Sequence, residues 1–452
     1  MSQWKKVKID FETVKLGDYI EPVKTTVGDS KIDNPVVYGV TNKEGIAQTG
    51  KPASEDVSKY IVLEENCFAF NPYRINVGSI GINEENLKGC VSPAYVVFKT
   101  KNGLLPKFLF FYLKSDYGIH LINWYGNRGG VRNALRYSDL CNIDIPDIRK
   151  LDQQALLDKF SFTAERIDEL SKEIEKQKSY AKKLRANILQ DAIEGKLTAD
   201  WREKHPVKKG NPDYDAETLF ETIQTEKQEK GKKQKPLPTI AENEKPFAIP
   251  TGWKWVRLGE ICFNIEGGKS ILCKEIVPNK NEIGIVKTGV CSFGYFKEDE
   301  CKTCLSPKDW HDEYAIHKGD FLIGRANTLE LVGSCVIVDK IERKLMLSDK
   351  ILRINFDEMI CSDFILCAMK SKYVREQIER SATGSSPTMK NISQESIKNY
   401  SLPLPPLAEQ KEIVAWVEQH LQTITQLETQ IATRETLTKQ LMQSILKDAF
   451  EK

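Results

Sequence analysis

Ile188-Leu189-Gln190-Asp191-Ala192-Ile193-Glu194 returns 257 residues later as Ile445-Leu446-Lys447-Asp448-Ala449-Phe450-Glu451. No other stretch constrains the fold as strongly. Working back from it at the same offset, with no gap, Leu184 falls on Leu441, Asp152-Gln153 on Glu409-Gln410, and Ile145-Pro146 on Leu402-Pro403. A repeat of this period divides the chain into two frames before any local element is considered.

Within each copy the apolar residues keep a helical rhythm. Phe160, Ile167, Leu170, Ile174, Leu184 and Ile188, with Ala181, stand three, four or seven apart in the first copy. Val417, Ile424, Leu427, Ile431, Leu441 and Ile445 take the same slots in the second. This is the a/d seam of a coiled coil. Polar residues interrupt it: Thr163 and Gln177 in one copy, His420, Arg434 and Thr438 in the other. Neither segment has an internal Pro or Gly, so each supports a helix of about 40 residues, about 60 Å long. Two similar stripes in one chain predict two helices packed on each other, the polar slots fixing register. The alternative is that each helix serves only as core for its own globular region.

The starts of the halves also correspond: Val14-Lys15-Leu16-Gly17-Asp18-Tyr19-Ile20 resembles Val256-Arg257-Leu258-Gly259-Glu260-Ile261. The predicted layout is a globular domain at 1–148, a long helix at 149–195, a linker at 196–245, a second globular domain at 246–404, and a second long helix at 405–452. Gly195 suits the end of the first helix. The linker holds Pro206, Pro212, Pro236 and Pro238, with Pro246 just after it, and the run from Glu226 to Lys235 reads as solvated. A short amphipathic helix fits 215–229. Short β-rich runs at Cys67–Phe70, Tyr95–Lys99, Ile283–Val286, Asp320–Ile323, Ser334–Asp339 and Ile351–Ile354 alternate with apolar helical stretches at Phe108–Leu113, Gly118–Trp124, Phe364–Met369 and Tyr373–Glu379. The fold class is α+β: two mixed α/β domains separated by two long antiparallel coiled-coil helices with pseudo-twofold symmetry.

At 452 residues the chain holds two to four domains at roughly 100–200 residues each. Its 66 Lys+Arg nearly balance 64 Asp+Glu, for a net charge of +2, so any basic surface must be local. With 40% hydrophobic and 29% charged residues it is a soluble, globular composition. No run of about 18 apolar residues predicts a membrane span, and Met1–Lys15 lacks the apolar core of a signal peptide. Eleven scattered cysteines then read as reduced thiols in a cytoplasm.

No catalytic set emerges. There is no phosphate-loop or dinucleotide motif and no H-E-x-x-H, and the chain has five histidines in all. Asn71-Pro72-Tyr73 is a poor match to an adenine-methyltransferase tetrapeptide. Cys301-Lys302-Thr303-Cys304 lacks the second pair that a zinc site requires, so no metal site is expected. The remaining signal is four polar loops. Tyr125–Asn133 and Ala382–Asn391 fall on the same part of each half, as, roughly, do Asn71–Asn76 and Ile323–Thr328. Arg, Asn, Ser, Thr and Lys reach phosphates and base edges, and glycine lets a loop backbone approach a ligand. Singly these read as surface loops; as two matched pairs they point to a binding surface. The candidate DNA-contacting residues are Arg74, Asn76, Asn127, Arg128, Arg132, Lys287, Arg325, Asn327, Thr328, Ser385, Ser386, Thr388 and Lys390.

Three segments carry a family resemblance: Leu402-Pro403-Leu404-Pro405-Pro406-Leu407-Ala408-Glu409-Gln410-Lys411-Glu412-Ile413-Val414, the opening Gly252-Trp253-Lys254-Trp255-Val256-Arg257-Leu258-Gly259, and Glu194-Gly195-Lys196-Leu197-Thr198. With the two-copy layout, they make the chain resemble the specificity subunits of type I restriction–modification systems, which serve in phage defence. The first half departs from the pattern: Pro146–Gln153 is a degraded form of the proline-rich segment, and the first domain lacks a Gly-Trp-x-Trp opening. The resemblance implies two target-recognition domains, each reading one half of a split double-stranded DNA target through the major groove. It implies that the helices act as a ruler and dock two methyltransferase subunits, joined by motor–nuclease subunits. S-adenosylmethionine, ATP and magnesium would lie on those partners, and this chain would bind no cofactor and catalyse nothing. A coiled-coil adaptor that binds only proteins, or a stand-alone DNA methyltransferase, are the other readings.

Overall fold

The computed structural model describes residues 12–30, 32, 34–42, 44–48, 56–126, 134–230, 236–386 and 388–450. Two helices dominate it, Gln153–Ile193 and Leu407–Phe450, with 41 and 44 residues. The chain divides into two compact units: residues 1–177 with 430–452, and residues 178–429. Each unit therefore holds one globular domain and a part of both long helices.

Among the described residues of the first unit ten short strands form: β1 Thr13–Lys15, β2 Ile20–Pro22, β3 Val36–Thr41, β4 Gly45–Gln48, β5 Ile61–Val62, β6 Phe68–Phe70, β7 Ile80–Ile82, β8 Gly89–Val91, β9 Val96–Thr100 and β10 Asp144–Pro146. They make two four-stranded sheets, in the orders β2-β9-β6-β7 and β4-β3-β8-β5, and the pair β1-β10. The second unit adds β11 Lys254–Arg257, β12 Cys262–Gly267, β13 Cys273–Lys274, β14 Ile283–Val286, β15 Cys301–Cys304, β16 Phe321–Gly324, β17 Ala326–Asn327, β18 Cys335–Ile337, β19 Lys344–Met346, β20 Ile351–Phe356, β21 Lys390–Asn391 and β22 Ser401–Leu404. Their sheets run β12-β20-β16-β18 and β13-β15-β14-β19, with pairs β11-β22 and β17-β21.

The two domains share one topology. The first sheet matches strand for strand in chain order. In the second sheet β3 pairs antiparallel with β4 and parallel with β8, as β14 does with β15 and β19. In this sheet the edge strand differs: β5 extends it beyond β8, whereas β13 extends it beyond β15. The pair β17-β21 has no counterpart among the described residues of the first unit. A helix pair follows each domain's sheets, Pro106–Lys114 with Asp116–Gly126, and Ser362–Lys370 with Lys372–Ser381. The sequence repeat marks the ends of each half; in the structure the sheets between those ends repeat as well. Short half-buried strands demand only apolar side chains at alternate positions, so sequence identity is free to drift while topology persists.

The repeated ends of each half meet. Val14 pairs with Ile145, and Val256 with Leu402. Leu16 and Leu258 then donate their backbone N–H to Ile143 and Tyr400, equivalent carbonyls, at 2.9 Å each. Gly17 and Gly259 follow where a Cβ would crowd Cys141 in one domain and Leu237 and Lys398 in the other.

In both units the long helices run antiparallel. In the first unit Arg434 donates to Gln177 at 3.1 Å, while Leu446 joins Leu157 and Phe160 in the domain core. In the second, Arg185 donates to Glu428 at 2.9 Å and to Thr425 at 3.2 Å. The buried stripe is narrower than a two-per-heptad seam. Phe160, Ile174, Ala181 and Ile188 are buried, and Ile167 is partly so; Val417, Ile424, Ile431 and Thr438 are buried, and Ile445 is partly so. These stand seven apart. The leucines of the other slot, Leu170, Leu184, Leu427 and Leu441, are 37–45% exposed. The cause is the polar partners among them: Gln177 with Arg434, and Arg185 with Glu428, keep that side of the helix pair wet.

The stretch expected as a linker is largely structured and belongs to the second unit. Helices form at Ala199–Lys204 and Ala216–Glu229. Asp215 caps the latter, accepting from Thr218 N–H at 3.4 Å and its hydroxyl at 2.6 Å. Ala216, Leu219 and Ile223 are fully buried, and Lys227 continues their stripe. Its ammonium donates to the Gly259 and Glu260 carbonyls, both at 2.9 Å. The reading of 226–235 as solvated fails at Lys227, because an aliphatic stem can line an apolar face while its head finds carbonyls; residues 231–235 lie outside the described residues.

Candidate nucleic-acid interface

In the second unit β16 carries the chain to Arg325, whose N–H donates to the Lys350 carbonyl at 2.9 Å. The chain then enters the two-residue strand β17, which pairs antiparallel with β21 so that Asn327 faces Lys390. That ladder joins two of the predicted loops, 323–328 and 382–391. Next to it, Ile392 N–H donates to the Arg325 carbonyl at 2.9 Å. Asn327 donates to the Ser292 hydroxyl at 3.2 Å and accepts from Thr328 N–H at 2.8 Å. Lys390 folds its ammonium onto the Gly384 carbonyl at 2.6 Å. Gly384 takes a left-handed φ of +122°, and a Cβ there would collide with the Met389 carbonyl, so the loop requires glycine. Ser386 and Thr388 share a hydroxyl contact of 2.9 Å on the exposed side, and Ser385 is exposed beside them. Lys287 lies at 3.0 Å from Glu275 and opens the turn that ends at Ser292.

The first unit builds the same edge from different residues. Asn71 accepts from Tyr73 N–H at 2.9 Å, turning the chain into the short helix Ile75–Val77. Arg74 is exposed and Asn76 is half-buried. Leu135 N–H donates to the Pro72 carbonyl at 3.0 Å, the counterpart of the Ile392–Arg325 bond, in which Ile392 lies 257 residues after Leu135 and Arg325 lies 253 after Pro72. Ala134 N–H donates to the Gly126 carbonyl at 3.2 Å, closing the base of the second predicted loop. Asn127, Arg128 and Arg132, on that loop, lie outside the described residues.

Several residues at this surface carried no sequence signal. Ser292 and Lys350 enter only through the Asn327 and Arg325 contacts, which span 35 and 25 positions of chain. Phe293 and Tyr295, 49% and 58% exposed, follow Ser292 in the chain, with the Lys297 ammonium 3.9 Å from the Phe293 ring. Lys370 braces this turn, donating to Gly294 at 3.3 Å, and its burial lowers its pKa below the usual lysine value.

The C-x-x-C motif sits elsewhere, on strand β15. Cys301 and Cys304 are both buried, and burial pushes their thiols up, to about 11 and about 12. Thiols held protonated in this way are weak nucleophiles and weak metal ligands. Among the described residues no group of three or more His, Cys, Asp or Glu is placed to hold a metal ion, and no helix is long and apolar enough to cross a membrane.

The three segments that carried the resemblance converge within the second unit. Glu409, 1% exposed, accepts from the Thr198 hydroxyl at 2.6 Å, from Arg202 at 2.5 Å and from the Trp253 indole at 2.7 Å. Arg202 also donates to the Gly195 carbonyl at 2.7 Å.

Residues 250–434 match the family model of the type I restriction modification DNA specificity domain. The chain is 34% identical over 250 residues to the specificity subunit of the type I restriction enzyme EcoEI of Escherichia coli, covering 55% of this chain and 41% of that one. It is 30% identical over 274 residues to the EcoAI specificity subunit of the same species, covering 59% and 44%. The chain thus spans less than half the length of these two relatives. A chain solved in a study of complex assembly and conformational transition of the type I restriction–modification system superposes with a TM-score of 0.64 at 21% identity, covering 99% of both chains. At that identity the likeness is one of fold.

Proposed function

We propose that this chain is a specificity subunit of a type I restriction–modification system, as its match to that family's DNA specificity domain supports, and that it reads a bipartite double-stranded DNA target, one half-site per globular domain. The observation that carries this reading is the polar loop edge built twice on one topology, with Leu135–Pro72 and Ile392–Arg325 as equivalent bonds. Equal scaffolds with different side chains at the edge are what two readers of different sequences require. Base-edge contacts are worth about 1–3 kcal/mol of discrimination each, and phosphate contacts add affinity without sequence. Holding two readers on one frame raises the effective concentration of the second half-site.

In this reading the long helices fix the spacer between half-sites and dock two methyltransferase subunits, which carry S-adenosylmethionine. Motor–nuclease subunits with ATP and magnesium complete the complex in the cytoplasm. The chain itself contributes recognition and no catalysis. Its net charge of +2 is small for a DNA clamp, so the partners supply much of the phosphate binding.

The test is to co-express the chain with the methyltransferase subunit encoded beside it and to sequence the methylated adenines of the host. Two short specified halves around a fixed unspecified spacer are expected. Methylation by the chain alone, or a continuous motif, overturns the reading.

A further inference from the structure

Beside the polar loop edge of the second unit lies a depression of about 240 Å³ walled by four lysines, Lys269, Lys287, Lys302 and Lys350. Lys287 and Lys302 share Glu275, at 3.0 and 3.2 Å, and Lys350 reaches Asp349 at 2.8 Å. Four ammonium groups against two carboxylates leave the wall net positive. Lys269 lies 5.4 Å from the Tyr314 ring.

A second observation is independent of the charge. Ser348 also lines the depression, is 7% exposed, and its hydroxyl finds no hydrogen-bond partner among the described residues. Buried hydroxyls are ordinarily satisfied, and one left alone costs stability. The serine is held where it is: its carbonyl accepts from Gly268 N–H at 3.3 Å and from Ile351 N–H at 3.2 Å. Gly268 is required for that approach, because a Cβ there would overlap the Leu347 carbonyl. The same approach lays Lys269 beside Ser348 in an isolated parallel bridge.

We propose that this depression is a phosphate seat that takes a phosphodiester of the DNA backbone, with the Ser348 hydroxyl donating to it and the lysines supplying positive charge. Lysine suits the role as a point charge that needs no planar geometry. The seat is tied to the loop edge by main chain: Lys350 accepts from Arg325 N–H at 2.9 Å, and Lys287 opens the turn whose Ser292 receives Asn327. A phosphate held here sets where Asn327 and Lys390 meet the groove. The proposal rests on the reading of the chain as a DNA-reading subunit. A free phosphate shares this chemistry, and the test separates the two.

The experiment uses the complex with the methyltransferase subunit and two labelled duplexes, one with the target found by methylation sequencing and one scrambled. Lys269→Gln is expected to weaken binding to both by the same factor, about tenfold at 0.15 M salt. It should lower the salt slope by about 0.9 and leave the methylated motif unchanged. Ser348→Ala is expected to weaken binding to both duplexes while the free chain melts no lower, since the lost hydroxyl had no partner to lose. If the wild-type complex prefers its target but both variants keep its affinity and salt slope, the seat is refuted and the DNA-reading function stands. If the wild-type complex shows no preference between duplexes, that function fails and the proposal with it. If inorganic phosphate raises the melting temperature of the wild-type chain but not of Ser348→Ala, and DNA affinity is the same in both, the seat serves free phosphate and the assignment to the DNA backbone is overturned.

Discussion

Asp152-Gln153 and Glu409-Gln410 hold the same place at the start of the two long helices, and only half of that place is used alike. The glutamines do equivalent work. Gln153 accepts from Leu105 N–H at 2.9 Å, and Gln410 accepts from Cys361 N–H, also at 2.9 Å. Each thereby joins its long helix to the residue just before the first helix of its domain's helix pair. The opposite long helix supplies a second joint in each unit: Gln443 accepts from Asp116 N–H and Gln190 from Tyr373 N–H, both at 3.1 Å. The acids diverge. Asp152 caps its helix by accepting from Ala155 N–H at 3.0 Å, on an exposed edge. Glu409 is buried under Thr198, Arg202 and Trp253. The joints that seat a domain on the helices are thus common to both units. The knot belongs to the unit in which a chain segment leaves the first helix and must be fastened down.

The largest expected effect breaks that contrast. Glu409→Ala leaves Arg202 without its carboxylate in a poorly solvated site and should cost about 3–5 kcal/mol. Asp152→Ala removes only a helix cap and should cost about 1 kcal/mol. Urea denaturation of the two variants against wild type measures the difference, and equal losses would refute the account of the knot. Next in size, Gln410→Ala should cost about 1–3 kcal/mol, because Gln410 is 0% exposed and leaves the Cys361 N–H unpaired. Gln153→Ala should cost about 1 kcal/mol or less, because Gln153 is half-buried and water can replace it.

This contrast also explains what the sequence reveals and what it hides. The frame is legible because its residues are constrained by identity. Only a carboxylate of the right length gathers Thr198, Arg202 and Trp253, and only Leu-Gly tucks beneath the Tyr400 and Ile143 carbonyls. The degraded first-half segment Pro146–Gln153 is legible for the same reason: nothing corresponding to Trp253 presses on Asp152 among the described residues. The shared topology of the four-stranded sheets was not legible, since their strands of two to six residues are fixed by pairing across up to 94 positions of chain, from Cys262 to Phe356, which no local pattern records. Lys227 misled because a charge on an amphipathic face reads as solvent exposure. Residue type and spacing singled out Arg325, Asn327 and Lys390, and the structure brings their two loops together. Ser292, Ser348 and Lys350 were not, because their part in the surface is set by contacts with distant chain and not by their own neighbours.

The smallest effect sharpens the same comparison at the second unit's extra helix, Ala216–Glu229, which has no counterpart among the described residues of the first unit. There Glu226 stands beside Asp357, a buried carboxylate whose Oδ1 accepts from Met359 N–H at 2.8 Å and whose Oδ2 meets no hydrogen-bond criterion among the described residues. Burial first, and the neighbouring Glu226 carboxylate after it, hold Asp357 above its ordinary value of 3.8. Lys230, 3.3 Å from Glu226, offsets this only in part. A group whose folded pKa is raised favours the fold while it is protonated. Its contribution is complete below pH 3.8 and is lost as pH climbs through the raised value, where a buried charge must form beside another. Asp357→Asn keeps an acceptor for Met359 N–H, offers a donor toward Glu226 and carries no charge. It should therefore stabilise the chain at neutral pH by about 1 kcal/mol, with the gain shrinking as pH falls toward 4. Melting curves of the variant and wild type between pH 4 and 8 measure it. A gain that stays constant across that range would mean that the carboxylate's charge is not what strains the helix against its domain.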